Sequence, residues 1–146
     1  MRPASRTIFT DMKYNIIDIE GVGETYAEKL TIAGIDTVEK LLEMCASAKG
    51  RKKVAEQTGI PEKLILRWTN HADLFRIKGI GPQFAELLEA AGVDTVKELR
   101  HRSADNLEAK LIEVNNDRNL TGRVPSSKEL QAMIDEAIVI EPVITY

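Results

Sequence analysis

The stretch from Ile77 to Leu99 reads I-K-G-I-G-P-Q-F-A-E-L-L-E-A-A-G-V-D-T-V-K-E-L and decides how the chain is organised. It repeats an earlier stretch from Ile19 to Leu41, which reads I-E-G-V-G-E-T-Y-A-E-K-L-T-I-A-G-I-D-T-V-E-K-L. When 19–42 is aligned without gaps to 77–100, 12 of 24 positions are identical. Self-similarity at a fixed offset indicates a duplicated structural unit. The sequence therefore predicts two similar units, each built around the pattern apolar-x-Gly-apolar-Gly.

The paired glycines predict a tight turn that leads into a helix. We call residues 19–23 the first glycine turn and residues 77–81 the second glycine turn. Glycine permits positive φ and lets another molecule approach the backbone, and apolar residues recur at helical spacing after each turn. The N–H groups at the start of such a helix form a small anion site, which the helix dipole favours.

Helix ends and starts are predicted from glycines, prolines and capping residues. Gly34 and Gly92 stand where a glycine commonly ends a helix. Two pairs with capping-box spacing predict that another helix begins just beyond these glycines: Asp36 with Glu39, and Thr95 with Glu98. The other predicted helices are 50–58 closed by Gly59, 62–75 with Pro61 at its first position, one from Ser103 or Asp105 to about Val114, and 128–137 opened by Ser126 with Glu129.

The two ends of the chain are predicted to differ from this helical body. We expect residues 1–11 to be an extension outside the folded part. A polar loop is expected over 115–125. The apolar, β-branched segment from Ile138 to Tyr146 contains Pro142 and cannot continue a helix. We expect it to lie across the body as an extended arm beside residues 13–19; the alternative is an arm that docks on another subunit.

The repeated pattern, with Ala and Leu at fixed positions after the glycines and Gly-(Val/Ile)-x-Thr-Val further on, resembles the helix-hairpin-helix motif. It is similar to the versions repeated in the C-terminal region of the elongation factor NusA and in the N-terminal domains of archaeal recombinases. The whole chain from about Met12 also resembles a bacterial family of small proteins with two such repeats and no assigned function. The expected fold class is all-α, with two tandem helix-hairpin-helix repeats packed as one compact unit. The expected boundaries are 12–72 and 73–137 for the repeats and 138–146 for the arm.

The resemblance implies a function as well as a fold. In the helix-hairpin-helix superfamily the glycine turn resembles a clamp for the nucleic-acid backbone, whose contacts to phosphate ignore base identity. Carried over to this chain, the implied contacts at the second glycine turn are Lys78, Gly79, Ile80 and Gly81, with Arg76 alongside. The first glycine turn offers Gly21, Val22, Gly23 and Lys29 as a weaker candidate. Because Glu20 and Glu24 bracket that turn and Asp18 precedes it, we expect the first glycine turn to be structural.

The charge distribution gives partial support to nucleic-acid binding. The net charge is −3 and the isoelectric point about 5.5, whereas nucleic-acid-binding domains usually carry a basic surface. Residues 50–102 nevertheless carry +3, from 10 Lys and Arg against 7 Asp and Glu. They include the cluster Arg51, Lys52 and Lys53, which could extend the site if it folds beside the second glycine turn.

Composition limits the other classes of function. The chain is long enough to bury a real core, and no segment approaches the roughly 20 apolar residues of a membrane span. The first ten residues lack the apolar core of a secretory signal, and one cysteine, Cys45, fits a reducing compartment. We therefore expect a cytoplasmic protein without membrane association. With two histidines, His71 and His101, the sequence predicts no zinc site, and we expect no cofactor and no catalytic site.

Two functions remain open at this point. The first is weak, sequence-independent binding of DNA or RNA through the second glycine turn. The alternative is a protein-interaction or scaffold module that keeps the fold without phosphate binding. The sequence leaves the oligomeric state undetermined.

Overall fold

In a computed structural model, residues 14–146 are described, and over this range the chain is all-helical with no β-strand. The expected extension 1–11 lies outside the described residues. A 3₁₀ turn at Ile16–Asp18 precedes eight α-helices. They are α1 (Glu24–Ile32), α2 (Val38–Cys45), α3 (Ala48–Thr58), α4 (Glu62–Leu74), α5 (Pro82–Ala90), α6 (Val96–Leu99), α7 (Ala104–Arg118) and α8 (Ser127–Val139).

Hydroxyl side chains cap most of these helices. Thr37 accepts a hydrogen bond from the Lys40 amide at the start of α2 (3.1 Å), and Thr95 accepts one from the Glu98 amide at the start of α6 (3.1 Å). The predicted Asp36–Glu39 capping box is wrong by one residue. Thr37 takes the extended cap conformation instead, with φ −130° and ψ 159°. The predicted Ser126–Glu129 capping box is confirmed, with both of its hydrogen bonds present.

Helix ends follow the glycines closely. Gly34, Gly59 and Gly92 all have positive φ, between +77° and +95°, and lie within two residues of the ends of α1, α3 and α5. A residue with a Cβ is strained in that conformation. The predicted end of α7 at about Val114 is wrong, because the helix continues to Arg118 and ends at Asn119 in the left-handed region.

The loop after α7 is organised from inside that helix. The Asn115 side chain accepts from the amides of Leu120 and Thr121 and donates to the Thr121 carbonyl. Residues 115–118 are predicted to belong to a loop but are helical. The Asn115 side chain provides hydrogen-bond partners for the backbone of the loop that follows the helix. Another boundary also differs from the prediction, since Pro61 is the cap residue of α4 and not its first helical residue.

One continuous hydrophobic core runs through the described chain. Helix α2 packs mainly on α4, α7 packs on α8, and α4 packs on α5, which joins the two halves. Trp68 on α4 is fully buried and packs against Tyr26, with ring centroids 5.2 Å apart. Trp68 therefore belongs to the core and not to a binding surface.

The segment 140–146 lies without regular structure along this body, and we call it the strap. Its side chains Ile140, Val143 and Ile144 are partly buried against the core. The Thr145 amide donates to the Ala46 carbonyl (2.8 Å), between α2 and α3. No hydrogen bond joins the strap to residues 14–19, so the expected position beside residues 13–19 is not confirmed. Asn15 instead forms an isolated bridge with Thr37.

Candidate binding cleft at the second glycine turn

The two glycine turns have the same backbone. Gly21 and Gly79 have φ of +95° and +92°. The amide of the central residue bonds back within each turn, from Val22 to the Ile19 carbonyl (3.0 Å) and from Ile80 to the Ile77 carbonyl (3.1 Å). The Ile80 amide is therefore already used. The amides of Gly79 and Gly81 have no acceptor within the described part of the chain.

The second glycine of each turn serves a different purpose from the first. Gly23 and Gly81 cap α1 and α5 with φ of −81° and −109°, so positive φ is not what they supply. A Cβ on Gly81 would lie 3.1 Å from the Tyr14 hydroxyl, whereas one on Gly23 would meet nothing within 4 Å. At its second glycine, the second turn is thus approached closely by another part of the chain, whereas the first turn has open space at Gly23.

Helix α8 covers one side of the second glycine turn. The Lys78 amide donates to the Glu136 carboxylate (3.1 Å). A Cβ on Gly79 would lie 3.1 Å from the terminal methyl of Met133. The Lys78 side chain is exposed, yet the backbone beside it already holds a carboxylate of the same chain. An incoming phosphate would meet this negative charge.

Arg76 is committed to the interior. Its guanidinium is 2.7 Å from Asp73 and also donates to the Glu141 carbonyl (3.0 Å), and the side chain is 1% exposed. Asp73 accepts a further bond from the Val96 amide at the start of α6 (2.8 Å). Burial raises the pKa of Asp73, while Arg76 and the Val96 amide oppose that rise. Arg76 is therefore a structural residue, and the expectation that it lies alongside a ligand is not supported.

The cluster 51–53 divides in the same way. Arg51 is buried and donates to the carbonyls of Cys45, Ala46 and Thr145. Lys52 and Lys53 are exposed on α3. Arg51 is thus withdrawn from any free basic surface, and two lysines remain.

The first glycine turn has an acidic surrounding, as the sequence predicts. Glu24 is exposed and Glu20 is half-buried. Lys29 stands in the last turn of α1, about 9 Å along the helix axis from Gly23 at 1.5 Å per residue. Lys29 is too far along the helix to complete a phosphate site at that turn.

A cleft of about 860 Å³ opens between the second glycine turn, the chain before the first turn, and α8 with its preceding loop. Its apolar and aromatic lining comes from the chain before the first turn, from the start of α5 and from α8 with its loop, whereas its charged rim comes from the first and the last of these. The apolar lining residues are Tyr14, Pro82, Phe84, Pro125 and Met133, and the charged ones are Asp18, Glu20, Arg123 and Glu129.

The charges on this rim do not cancel. Arg123 donates two hydrogen bonds to Glu129, at 2.9 and 2.7 Å. These bonds, with the Ser126 amide, lower the pKa of Glu129 to about 2. Asp18 accepts a bond from the Asn15 amide (2.9 Å), but neither Asp18 nor Glu20 forms an ion pair with any described residue. The cleft therefore presents two open amides beside two carboxylates that have no cationic partner within residues 14–146.

The remaining singled-out residues serve the interior. His71 is fully buried with one ring nitrogen 3.0 Å from Glu89, and Cys45 is a buried free thiol. Burial raises the pKa of Cys45 to about 11. Within residues 14–146 no group of three His, Cys, Asp or Glu side chains could hold a metal ion. No helix in this range has the length and apolar character needed to traverse a bilayer.

A family model described as a domain of unknown function, DUF4332, matches residues 20–139. The chain belongs to this family. The matched region contains all eight helices. No curated protein and no solved structure matches the chain.

The acidic side of the cleft is the feature that sequence reasoning missed. The sequence places Asp18 and Glu20 at the first glycine turn, where they repel phosphate. The structure places both on the cleft that also contains the second turn. A signal existed in the duplication, since two similar turns in one compact unit can face each other, but the sequence does not give the distance between them.

Proposed function

We propose that this protein is a non-enzymatic interaction module whose cleft binds an extended segment of a partner protein carrying a basic side chain. The observation that carries the proposal is the combination of two open amides, at Gly79 and Gly81, with the carboxylates of Asp18 and Glu20 around an apolar floor. Such a surface offers donors to a peptide carbonyl, acceptors to a Lys or Arg, and apolar area for a neighbouring side chain.

The helix-hairpin-helix resemblance supports the same proposal in a modified form. Each turn has its first glycine at positive φ and its second at the start of a helix, and we propose that the chain descends from a phosphate-binding ancestor. Glu136 on the Lys78 amide and the internal use of Arg76 and Arg51 argue against phosphate as the present ligand. We further propose a cytoplasmic location, for which the single buried thiol of Cys45 is the support.

Selection from a library of random displayed peptides tests the proposal. Peptides selected on the wild-type protein are expected to be enriched in Arg or Lys next to apolar residues. Glu20→Lys is expected to weaken their binding at least tenfold, because it reverses a charge on the rim and the Glu20 side chain makes no hydrogen bond within the described chain. Glu56→Lys, an exposed change on α3, is the matched control and is expected to leave binding unchanged.

A titration with random duplex DNA and single strands at low salt separates the two functions. The proposal fails if no peptide is enriched, or if nucleic acid binds with a steep salt dependence and Lys78→Glu abolishes that binding. The second result would restore nucleic-acid binding through the second glycine turn as the function.

A further inference from the structure

The strap is held mainly through its backbone, by arginines from different parts of the chain. Arg51 donates to the Thr145 carbonyl (2.7 Å), and Arg76 donates to the Glu141 carbonyl (3.0 Å). Arg100 donates to the carbonyls of Ala137 and Ile140, where α8 ends and the strap begins. We call the surface under the strap, between Arg51 and Arg76, the groove. Because its guanidinium groups donate to main-chain carbonyl oxygens of the strap and not to side chains of the strap, the groove fits any extended segment of suitable apolar pattern.

The groove exists in part without the strap. Arg51 also donates to the carbonyls of Cys45 and Ala46 at the end of α2, and Arg76 is fixed by Asp73. These contacts hold both guanidiniums in place when the strap is absent. Their remaining N–H groups then need acceptors, because a buried donor without one costs free energy.

The strap itself is lightly attached. Glu141, Pro142, Thr145 and Tyr146 are exposed, and Val143 and Ile144 are only partly buried. Pro142 prevents α8 from extending into the strap. No side chain of the strap is fully buried and no helix contains its residues, so its departure leaves the helices unchanged.

An exposed apolar pair lies where the strap departs from α8. Ile138 is 54% exposed and Val139 is 81% exposed, in the last turn of that helix. Single exposed apolar residues are ordinary, but an adjacent pair at the base of a lightly attached segment has the character of an interface.

We propose that the outer part of the strap exchanges between two copies of this chain, so that residues 141–146 of one copy occupy the Arg51–Arg76 groove of the other while Ile140 stays on Arg100 of its own copy. In the exchanged dimer each strap makes the hydrogen bonds that it makes within one copy, and Ile138 and Val139 of both copies come together at the crossing point. Exchange thus keeps the backbone hydrogen bonds of the strap and adds a new apolar interface between the copies.

None of the residues that hold the strap lines the cleft of the proposed function. The strap is attached at the α2–α3 junction and at Arg76, and the cleft is lined by the second glycine turn and the loop before α8. A failure of exchange leaves the peptide-binding proposal untouched, and the reverse also holds.

Complementation between two full-length variants tests the exchange. Arg51→Gln damages the groove and leaves the strap intact, whereas Thr145→Pro removes the amide that donates to Ala46 and leaves the groove intact. Each variant is unfolded and refolded at high concentration, alone and mixed in equal amounts, and its mass is measured by light scattering. Wild type is expected to give a dimer fraction that rises with concentration, because within one copy the strap competes at an effective concentration of about millimolar.

The mixture is expected to contain at least threefold more dimer than either variant alone, since a heterodimer has one intact strap in one intact groove. Lys52→Gln, an exposed neighbour of Arg51, is the control and is expected to dimerise like wild type. If Arg51→Gln does not fold, Arg51→Lys serves in its place, because it keeps the charge and loses the fork of donors. A wild type that stays monomeric after refolding, or dimers equally abundant in both single variants and their mixture, would overturn the proposal.

Discussion

Replacing Glu89 by Gln should reveal how the two halves of the chain are fastened together. Glu89 on α5 accepts hydrogen bonds from Arg67 at 2.9 to 3.1 Å and lies 3.0 Å from the His71 ring, both on α4. Burial alone would raise the pKa of Glu89, but the hydrogen bonds from His71 and Arg67 outweigh burial and lower it from 4.5 to about 2. The carboxylate is therefore stabilised in the folded state relative to the unfolded chain.

The size of the effect follows from that shift. A fall from 4.5 to about 2 corresponds to about 3 kcal/mol at 1.36 kcal/mol per pKa unit. The Glu89 side chain is 27% exposed, and solvent screening reduces such a contribution. We expect Glu89→Gln to lower the free energy of unfolding by about 1 to 2 kcal/mol at pH 7, measured by denaturant titration.

The pH dependence gives the sharper test. A carboxyl group with a lowered folded-state pKa adds stability above its unfolded-state pKa and loses it as the pH falls toward the folded value. The difference between wild type and Glu89→Gln should be complete above pH 4.5 and vanish near pH 2. Glu28→Gln, on an exposed position of α1, is the control and should be neutral at every pH. A Glu89→Gln difference that is absent at pH 7, or unchanged down to pH 2, would refute the reasoning.

Three further predictions concern the interior. In a denaturant titration, Gly50→Ala should lower the free energy of unfolding by about 1 to 3 kcal/mol despite the better helix propensity of alanine, because a Cβ there would overlap the Met44 carbonyl oxygen. Gly122→Ala is the control, since it has open space around it, and should change the free energy of unfolding by less than about 1 kcal/mol. Asp73→Ala should cost about 3 to 5 kcal/mol by thermal or denaturant unfolding, since it leaves the Arg76 guanidinium buried without its carboxylate, and a loss below about 1 kcal/mol would contradict that ion pair. Cys45 should resist alkylation in the native protein at pH 7 and react at once in denaturant, because burial hides the thiol and raises its pKa to about 11; rapid labelling of the folded protein would show that α2 opens easily.

The parts of the fold that the sequence predicts well are those with local causes. Gly34 and Gly92 end their helices because a glycine accepts the positive φ that the chain needs there. Ser126 and Glu129 satisfy each other's backbone within a single helical turn. In these cases the neighbouring residues alone decide the structure, so a pattern in the sequence is sufficient.

The parts that sequence reasoning misjudged depend on distant contacts. The sequence predicts Arg51 and Arg76 to be surface cations in a basic stretch. Each instead donates a hydrogen bond to a carbonyl of the strap, 94 residues further along the chain for Arg51 and 65 residues for Arg76. A guanidinium can be buried when it is fully hydrogen-bonded, and the acceptors here are main-chain carbonyls, which carry no signature in the sequence. Charge counts therefore overstated the basic surface near the second glycine turn.

The duplication also explains why the two turns have different surroundings. Helices α4 and α8 are equally long and occupy corresponding places in the two units, but α8 comes later than the alignment of the glycine turns implies. The main cause is the loop 119–126 before α8, which is longer than the loop 59–61 before α4. When the two helices are aligned from their first residues, Trp68 corresponds to Met133, and each lies against the first glycine of its own turn. One helical turn further on, His71 corresponds to Glu136.

Those two corresponding positions have been put to different uses. His71 contacts Glu89 and helps to fasten α4 to α5, whereas Glu136 accepts the hydrogen bond of the Lys78 amide at the second glycine turn. An anion at the second turn would thus meet a carboxylate from the last helix of that unit, and an anion at the first turn would meet acidic side chains. The backbone of the turn is the same in both units because Gly21 and Gly79 fix it locally, while the charge around it depends on helices whose sequences differ. For this reason the retained turn geometry supports the proposed ancestry, and the charges that now surround it support the proposed ligand.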